Sequence, residues 1–466
     1  MDWAEMTKMR KRSWRFLFVF MMICAAAIPP ASYGFDDREK IDPFAHQLIE
    51  DQIVVGLVIG MVKDGKSRII TYGETIKGSG IGPNGNTLYE IGSVTKVFTG
   101  DLLSSMVQNK EVNLRDPLRK YLPPSVKVPV ADGKPITLEH LATHTSGLPR
   151  MPDNFKPADP LNPYADYSVE QMYVFLNGHE LRRPPGQYEY SNYAMGLLGQ
   201  LLAHHKGMTY EQFLRDRICE PLDMNDTGIT LNEDQRKRLA PPYNAALKPA
   251  KNWDIPALAG AGAIRSSGND MIKFIMANLK KDHEPLSQAL RLAQTKRHSM
   301  EDGLSMGLGW HLGRDGAILW HNGGTGGYRA WLAISPDRGI GVVVLTNSAN
   351  MRLDEFGEQV TRIALGREVK PPNPRETIKV DPALLKSYTG YYAITPEFGL
   401  RVTVETGRLM VKATGQDKFP VFPESKARFF YKVVDAEITF VPDEEGQINK
   451  LILRQNGRDL EAFRKN

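Results

Sequence analysis

The order of strand-like and helix-like segments is the feature of this 466-residue chain that most limits its fold. Residues 53–75 contain two β-rich runs around the turn sequence KDGK, a pattern typical of a β-hairpin. Residues 135–300 have mainly helical spacing and long loops. From about residue 305, short β-type runs return between Gly, Asp and Pro turns. The chain is therefore expected to form a hairpin, a helical middle and a second group of strands.

The C-terminal part has a different pattern. A helical run, MRLDEFGEQVTRIALG, is followed by the Pro-rich and charged sequence REVKPPNPRETIKVDP, which is typical of a linker. Residues 383–466 then repeat short β signals such as GLRVTVETGRLMVKA and EITFVP. A chain of this length can hold more than one domain. We therefore predict a main domain over residues 35–368, a linker over 369–382 and a small all-β domain over 383–466.

The first 34 residues have the layout of a signal peptide. A basic start leads into an apolar run from Phe16 to Ile28, followed by prolines and small residues up to Gly34. As a helix this run would be about 20 Å long, short of the roughly 30 Å hydrocarbon core, so cleavage near Gly34 is favoured over a permanent anchor. A periplasmic or secreted protein is expected. Loose membrane association remains possible if the segment is retained.

Charge and cysteine content exclude some classes of function. The formal charge of the whole chain is only +5, and the signal segment, with five basic and two acidic residues, supplies part of it. This balance does not suggest a nucleic-acid partner. The two cysteines are Cys24 and Cys219. Because cleavage would remove Cys24, the mature chain is expected to form no internal disulfide bond.

The sequence LYEIGSVTKVFTG, residues 88–100, places Ser93 three residues before Lys96. On a helix these two positions share a face, so the side chains can meet. A lysine can take the proton of a serine only if its pKa is lowered, and lowering it from 10.4 to about 7 costs roughly 4–5 kcal/mol. Roughly two S-x-x-K sequences are expected by chance in a chain this long. Alone, the motif therefore favours ordinary helix surface over a catalytic pair.

A second candidate is Tyr190-Ser191-Asn192, which lies between a Pro-Pro-Gly turn and an apolar helical run. A tyrosine beside a serine can relay its proton if cationic neighbours lower the tyrosine pKa. The amide of Asn192 can donate a hydrogen bond to a substrate carbonyl. The alternative is structural: Tyr190 would pack in the core and Asn192 would cap the helix.

A third candidate is His321-Asn322-Gly323-Gly324 on a strand-like run. Glycines let a backbone approach a ligand closely, and a backbone N–H group here could complete an oxyanion hole. The alternative is a glycine-rich hairpin turn with an incidental histidine.

Together, in this order and spacing, the three motifs resemble the serine β-lactamase and penicillin-binding-protein superfamily. The resemblance covers roughly residues 45–365 and is strongest to class C β-lactamases and related D-alanyl-D-alanine carboxypeptidases and esterases. It implies an α+β fold in which an antiparallel sheet is flanked by helices beside a mainly helical subdomain. Further matching sequences are ATHTSGLP, PLDMNDTGI, GAGAIRSSGNDMIKF and HNGGTGGYRAWLAISPDRGIGVVVLTNS.

The resemblance also implies roles for the site residues. Ser93 would be the nucleophile of an acyl-enzyme, and Lys96 and Tyr190 would share the role of base. Asn192 would bind the amide carbonyl of the substrate. The substrate-binding strand would contribute His321, Gly323 and Gly324, and the N–H groups of Ser93 and Gly324 would form the oxyanion hole. Water would release the acyl group, with Tyr190 as its activator.

One motif departs from the family pattern. The third motif is usually Lys-Thr-Gly in β-lactamases, whereas this chain has His321-Asn322-Gly323. A histidine of reference pKa near 6.5 is mostly neutral at pH 7 and does not replace the permanent charge of lysine. The sequence therefore predicts an exported serine hydrolase acting on β-lactams, on D-Ala-type peptidoglycan peptides, or on both. The alternatives are an esterase of the same fold and a non-hydrolytic penicillin- or peptidoglycan-binding protein.

A metal site was the remaining possibility. His140 and His144 are spaced i, i+4 in EHLATH, but the zinc-protease pattern needs Glu directly after the first histidine, and Leu141 occupies that position. We therefore expect neither a metal nor another cofactor. The expected partner is a small-molecule or peptidoglycan-peptide substrate, and the sequence does not indicate an oligomeric state.

Overall fold

The computed structural model describes residues 37–314, 316–371, 375–455 and 457–465. The predicted signal peptide, residues 1–34, lies outside these ranges. Within them, the structure contains no helix that is long and apolar enough to cross a bilayer.

The main domain is built on an antiparallel sheet of eight strands in the order β2-β1-β10-β9-β8-β7-β6-β5, with β3 and β4 paired separately. The predicted hairpin of residues 53–75 is confirmed, because Lys63 pairs with Lys66 across the turn. The later strands join the hairpin through β10, which pairs with β1. The strands are β1 (Gly56–Lys63), β2 (Lys66–Gly73), β3 (Leu88–Glu90), β4 (Arg265–Ser267), β5 (His298–Ser299), β6 (Ser305–Met306), β7 (His311–Leu312), β8 (Leu319–Gly324), β9 (Arg329–Ser335) and β10 (Ile340–Thr346).

Helices cover both faces of this sheet. The α-helices of the domain are α1 (Arg38–Glu50), α2 (Thr95–Gln108), α3 (Leu138–Ala142), α4 (Val169–Gly178), α5 (Asn192–His205), α6 (Tyr210–Leu214), α7 (Glu233–Arg238), α8 (Ala259–Gly262), α9 (Gly268–Leu279), α10 (Pro285–Ala293) and α11 (Arg352–Ala364). Short 3-10 helices span Gly92–Val94, Leu118–Tyr121 and Pro336–Arg338, and one π-helical turn spans Arg215–Cys219.

Close contacts of glycines identify which helix lies on which face. A side chain at Gly341 on β10 would meet Ile275 of α9, and one at Gly357 of α11 would meet Trp331 of β9. Because α9 and α11 lie on opposite faces, every residue of β10 is buried. An all-apolar strand such as IGVVVLT is expected at a position covered on both sides.

Helix α2 is the centre of the helical part. Its residues Thr95 to Met106 are all buried, and α5, α8 and α10 pack against it. A helix buried on all sides has no polar face, so it does not show the amphipathic spacing of a surface helix. This placement matters for the chemistry, since Lys96 lies in the first turn of α2 and is completely buried.

The C-terminal region forms a closed antiparallel barrel in which β18 returns to β11. Aromatic side chains such as Tyr392, Phe429 and Phe440 fill its interior. An eight-stranded barrel filled in this way is a packed core and not a channel. The α+β fold with an all-β C-terminal domain is thus confirmed. The elements are α12 (Pro382–Ser387), β11 (Gly390–Ala393), β12 (Gly399–Glu405), β13 (Arg408–Ala413), β14 (Lys418–Pro423), β15 (Arg428–Tyr431), β16 (Ala436–Pro442), β17 (Ile448–Gln455) and β18 (Arg458–Lys465).

Polar contacts join the barrel to the main domain. Lys432 forms an ion pair with Asp51 at the end of α1, with an Nζ–Oδ1 distance of 2.5 Å. Asp417 accepts hydrogen bonds from Asn244 and Lys248 at 2.8 and 3.0 Å. The guanidinium of Arg352, at the start of α11, donates to the carbonyl of Lys432. The barrel therefore rests on α1, α11 and the loop around residue 244.

Candidate active site

The structure brings Ser93 and Lys96 together. Strand β3 leads into the 3-10 turn Gly92–Val94, which carries Ser93 and continues directly into α2 with Lys96. The Nζ atom of Lys96 lies 2.9 Å from the Oγ atom of Ser93 and 2.6 Å from the carbonyl oxygen of Ala261. The i, i+3 spacing thus produces the contact that helical geometry predicts, and Ala261 orients the amine toward the serine.

Burial changes the acid–base properties of Lys96. Its exposed fraction is 0%, and the positive charge of Arg150 lies nearby. Burial lowers the pKa of the Lys96 amine well below its usual value, and Arg150 lowers it further. Neither effect is compensated by a carboxylate, since Ser93 and Ala261 are the hydrogen-bond partners of this amine. Lys96 is therefore a better proton acceptor than an ordinary lysine.

Tyr190 is held beside Ser93 by the histidine of the HTSGLP sequence. The Nδ1 atom of His144 accepts a hydrogen bond from the backbone N–H of Ser191 at 3.1 Å, and its ring packs on that of Tyr190 at 4.5 Å between centroids. The Tyr190 hydroxyl lies close enough to Ser93 for the serine to lower the tyrosine pKa. Ser191, not Asn192, caps α5 by accepting from the N–H of Ala194. The structural alternative for Asn192 is therefore wrong.

Tyr190 is less suited than Lys96 to lose a proton. Burial raises the pKa of its hydroxyl, although the nearby Ser93 and the charge of Arg150 act in the opposite direction. The guanidinium carbon of Arg150 lies 5.0 Å from the centre of the Tyr190 ring, and the Lys96 amine lies at the same distance. At neutral pH the tyrosine therefore keeps its proton, while the lysine is the better base.

The third motif lies on β8, whose backbone runs against the turn that carries Ser93. A Cβ atom on Gly323 would lie 1.9 Å from the carbonyl oxygen of Ile91 and 3.1 Å from the backbone nitrogen of Ser93. A Cβ atom on Gly92, which has a φ of +50°, would lie 2.6 Å from the nitrogen of Gly324. Only glycines permit this approach. It places the N–H groups of Ser93 and Gly324 on neighbouring segments, as an oxyanion hole requires.

The side chains of the third motif make their polar contacts with residues other than Ser93. His321 is fully buried, its Nδ1 atom lies 2.6 Å from the carbonyl oxygen of Asn322, and its ring centre is 6.3 Å from that of Tyr190. Burial and the nearby His311 and Lys96 lower the pKa of His321 well below its usual value, so the ring is neutral at pH 7. Asn322 donates to Asp354 of α11 at 2.7 Å.

A cavity of about 130 Å³ opens above Ser93. Of the sequence-predicted residues, Ser93, Asn192 and Gly324 line it, together with residues that the sequence analysis did not single out. These further residues are Gly92, Arg150, Tyr164, Trp253, Ile255, Leu258, Ala261, Gly262 and Thr325. All belong to the main domain, so the barrel contributes nothing to this cavity among the residues that the structure describes.

Two loops meet above the cavity. The long Pro- and Asp-rich loop of residues 148–168 contacts the loop of residues 240–258. Asn162 and Asp254 exchange hydrogen bonds at 2.9 and 2.8 Å, and the rings of Tyr164 and Trp253 pack at 5.2 Å. Glu90 anchors the second loop by accepting from the N–H of Trp253. We refer to this contact as the roof of the cavity.

The close approach at Gly323 predicts a catalytic defect. In Gly323→Ala the new methyl group would overlap the carbonyl of Ile91, a backbone atom that cannot rotate away. Strand β8 would have to move away from Ser93 and withdraw the Gly324 N–H. Loss of one oxyanion donor costs about 10²–10³ in rate, and we expect this loss in kcat/KM for a p-nitrophenyl ester.

Gly324→Ala is the matched comparison for this prediction. Its methyl group would meet only the flexible guanidinium of Arg329, at 3.0 Å. A smaller loss of kcat/KM is expected, with thermal midpoints measured for both variants to exclude unfolding. A loss in Gly323→Ala no larger than in Gly324→Ala would contradict the assignment of this contact to the oxyanion hole.

Two residues important for the geometry were missed in the sequence. His144 positions the segment of Tyr190, and Arg150 lies over the Tyr190 ring. Both belong to the sequence HTSGLPR. This segment is dense in small, polar and proline residues and lies between two helical patterns, which was the available signal of a loop. The i, i+4 geometry considered for zinc does not exist, because α3 ends at Ala142 and His144 has a φ of +57°.

Comparison with known proteins identifies the family. The model of the β-lactamase family matches residues 41–365. This chain belongs to the β-lactamase family. Its C-terminal part, residues 374–465, matches a domain of unknown function, DUF3471. The family assignment thus covers the sheet, the helical part and all three motifs.

Relatives in this β-lactamase family carry two kinds of name. The chain is 32% identical to the D-alanyl-D-alanine-carboxypeptidase/endopeptidase AmpH of Escherichia coli K12, over 74% of this chain and 95% of that protein. It is 28% identical to a β-lactamase of Pseudomonas fluorescens, over 67% and 94% of the two chains. A β-lactamase/D-alanine carboxypeptidase structure from Yersinia pestis superposes with a TM-score of 0.63 at 27% identity, covering 70% and 97%. The chain is a serine hydrolase of this family.

Proposed function

We propose that this chain is an exported hydrolase that forms an acyl-enzyme on Ser93 and releases D-alanine from D-Ala-D-Ala-type peptides. The observation that carries the proposal is the 2.9 Å contact between Ser93 and a buried Lys96 whose pKa is lowered. A serine hydroxyl becomes nucleophilic when an uncharged base lies within hydrogen-bonding distance. A protein that only bound peptides would have no need for such a pair.

In the acylation step Lys96 accepts the proton of Ser93. The Ser93 oxygen attacks the substrate carbonyl, and the negative charge develops on the carbonyl oxygen between the N–H groups of Ser93 and Gly324. The carbonyl of Ala261 keeps one N–H of the amine occupied, which directs the Lys96 lone pair toward Ser93. The carbon–nitrogen bond to the leaving group then breaks, and the leaving amine needs a proton.

Tyr190 is placed to deliver that proton. Its hydroxyl lies close to Ser93 and keeps its proton at neutral pH. It can therefore pass this proton to the leaving amine and recover one from Lys96. In deacylation, water attacks the ester carbonyl and releases the acid, with the displaced proton returning to Ser93. This assigns proton delivery to Tyr190 and the base role mainly to Lys96, a refinement of the shared role that the resemblance implied.

The third motif lacks the usual anchor for a substrate carboxylate, and a peptide substrate is supported instead by a named relative. A permanent cation at this position helps to hold the carboxylate of a β-lactam, and His321 is neutral. Asn322 is bonded to Asp354 and is not available as a substitute. The 32% identical relative carries the name of a carboxypeptidase and endopeptidase, which supports the same substrate class. Slow turnover of β-lactams is compatible with this proposal.

An esterase activity is the second candidate. The cavity of about 130 Å³ under its roof suits a small acyl group. Simple esters also need no carboxylate anchor in the third motif. Export rests on the signal-peptide pattern of residues 1–34 and implies a periplasmic or secreted enzyme.

Intact mass spectrometry and substrate turnover test the proposed function. After incubation with labelled benzylpenicillin, the wild-type protein is expected to gain the mass of one penicillin molecule. D-Ala release from an acetylated D-Ala-D-Ala peptide is expected to exceed the hydrolysis of nitrocefin, with a p-nitrophenyl ester also hydrolysed. Absence of both adduct and turnover would overturn the proposal. An adduct without turnover would support the non-hydrolytic binding protein, and ester hydrolysis alone would support the esterase.

A further inference from the structure

Arg150 provides a positive charge at the catalytic cavity that the three motifs do not account for. Its side chain is exposed, and it lines the cavity together with Ser93 and Asn192. The groups whose pKa it affects include Lys96, His144 and Tyr190, and none of them is anionic at neutral pH. Arg150 therefore contributes positive charge to a site whose other ionisable groups do not neutralise it.

The other arginines near the site are paired with carboxylates. Arg329 lies 3.7 Å from Asp354, and Arg265 lies 3.3 Å from the buried Glu90. In the part of the chain that the structure describes, no aspartate or glutamate forms an ion pair with Arg150. A guanidinium facing a cavity without a counter-ion is suited to a substrate carboxylate, which it can bind with two parallel hydrogen bonds.

The position of Arg150 indicates which end of the substrate it would meet. The carbonyl of Arg150 accepts the backbone N–H of Asn192 at 3.0 Å, and the amide of Asn192 contacts the sulfur of Met151 at 3.8 Å. Arg150 and Asn192 thus form one wall of the cavity. Gly324 of β8 contributes a different part of the lining. The resemblance implies that Asn192 binds the amide carbonyl of the substrate, and this role places the charge of Arg150 on the acyl side of the substrate.

The roof supplies the aromatic part of the cavity lining. Tyr164 and Trp253 line the cavity together with Arg150 and pack on each other. Because the Arg150 side chain is itself exposed to water, its preference for a carboxylate rests on the position of the guanidinium in the lining and not on a low dielectric constant.

From this arrangement we propose that Arg150 selects substrates whose acyl group carries a free carboxylate. The inference rests on the proposed function, since it assigns the acyl side through Asn192. The carboxylate could come from an acidic side chain in a peptide or from the half-ester of a diacid. Both present the same chemistry to the guanidinium. Neutral acyl groups of the same size would leave Arg150 unpaired and would be acylated more slowly.

Two isosteric substrate pairs test this selection. The ester pair is the mono-p-nitrophenyl ester of adipic acid against p-nitrophenyl hexanoate, with the rate in Ser93→Ala subtracted as background. The peptide pair is acetyl-Glu-D-Ala-D-Ala against acetyl-Gln-D-Ala-D-Ala, followed by D-Ala release. Wild type is expected to prefer the anionic member by about 10- to 100-fold in kcat/KM, the range for a hydrogen bond to a charged group.

Variants assign this preference to Arg150. In Arg150→Gln the preference is expected to disappear, and Arg150→Lys should restore part of it. Arg182→Gln removes an exposed positive charge outside the cavity lining and should leave the preference unchanged. Because Arg150 lowers the pKa of Lys96, Arg150→Gln should also shift the acidic limb of the pH–rate profile for the neutral ester to higher pH. A purely structural role would produce neither the rescue nor this shift.

The outcomes separate the two proposals. Equal rates for both members of each pair in wild type would overturn the selection while leaving the serine hydrolase mechanism intact. A preference that persists in Arg150→Gln would do the same. A preference in only one pair that is lost in Arg150→Gln would support the selection and identify the source of the carboxylate. If wild type formed no adduct and turned over none of the four substrates, both proposals would fail.

Discussion

Ser93→Ala is expected to lower kcat for every substrate by about 10⁴–10⁶ and to abolish the penicillin adduct. The reason is covalent: the nucleophile is lost, and no other hydroxyl group is hydrogen-bonded to Lys96 in the described part of the chain. The residual rate would come from the oxyanion hole and from substrate positioning. The measurement is intact mass after incubation with labelled penicillin, together with ester turnover under saturating conditions.

A second serine on the same helix provides the matched control. Ser105 is buried on α2, at its far end from the nucleophile. Ser105→Ala is expected to keep the full adduct and nearly wild-type turnover, even if the protein is slightly less stable. Persistence of the adduct in Ser93→Ala would remove the basis of the proposed mechanism.

Lys96→Met is expected to lower kcat/KM by about 10⁴, since the variant keeps an unbranched side chain, one atom shorter, but has no base. The pH profile of the wild type tests the same role of Lys96 as a base. Only the uncharged amine accepts a proton, so kcat/KM rises with pH through the Lys96 pKa. Burial and Arg150 lower that pKa, so the rising limb of the pH profile should lie well below the ordinary lysine pKa near 10.4. The limb should be absent in Lys96→Met.

Two further variants distinguish base catalysis from a simple effect of charge. Lys96→Arg retains a positive charge that cannot be removed at accessible pH, so it should lose as much activity as Lys96→Met. Tyr190→Phe removes the proposed proton donor to the leaving amine. It should affect amide substrates more than p-nitrophenyl esters, whose leaving group needs no proton. Substantial activity in Lys96→Arg would mean that the charge of Lys96, and not its basicity, supports the reaction.

Much of the architecture could be predicted from local patterns. The hairpin β1–β2 follows from a turn sequence between two β-rich runs, and α5 follows from helical spacing after Ser191. The helical spacing of residues 135–300 includes the sequence ITLEHLATHTSGLP, of which only Leu138–Ala142 is helical, as α3. The helix ends there because His144 takes up a left-handed conformation to reach the Ser191 backbone. That contact is distant in sequence, and a local pattern contains no information about it.

The sequence by itself determined the three motifs and their order. It also determined that Ser93 and Lys96 lie close to each other, because spacing on a helix is a local property of the chain. Only the tertiary structure decided which of the candidate bases is suited to act. The packing of α5, α8 and α10 around α2 removes Lys96 from water and lowers its pKa, while the same burial raises that of Tyr190. The position of Arg150 also depends on distant contacts, which bring a loop residue over Tyr190. Desolvation and charge proximity depend on the distances between packed segments, and these distances exist only in the folded chain.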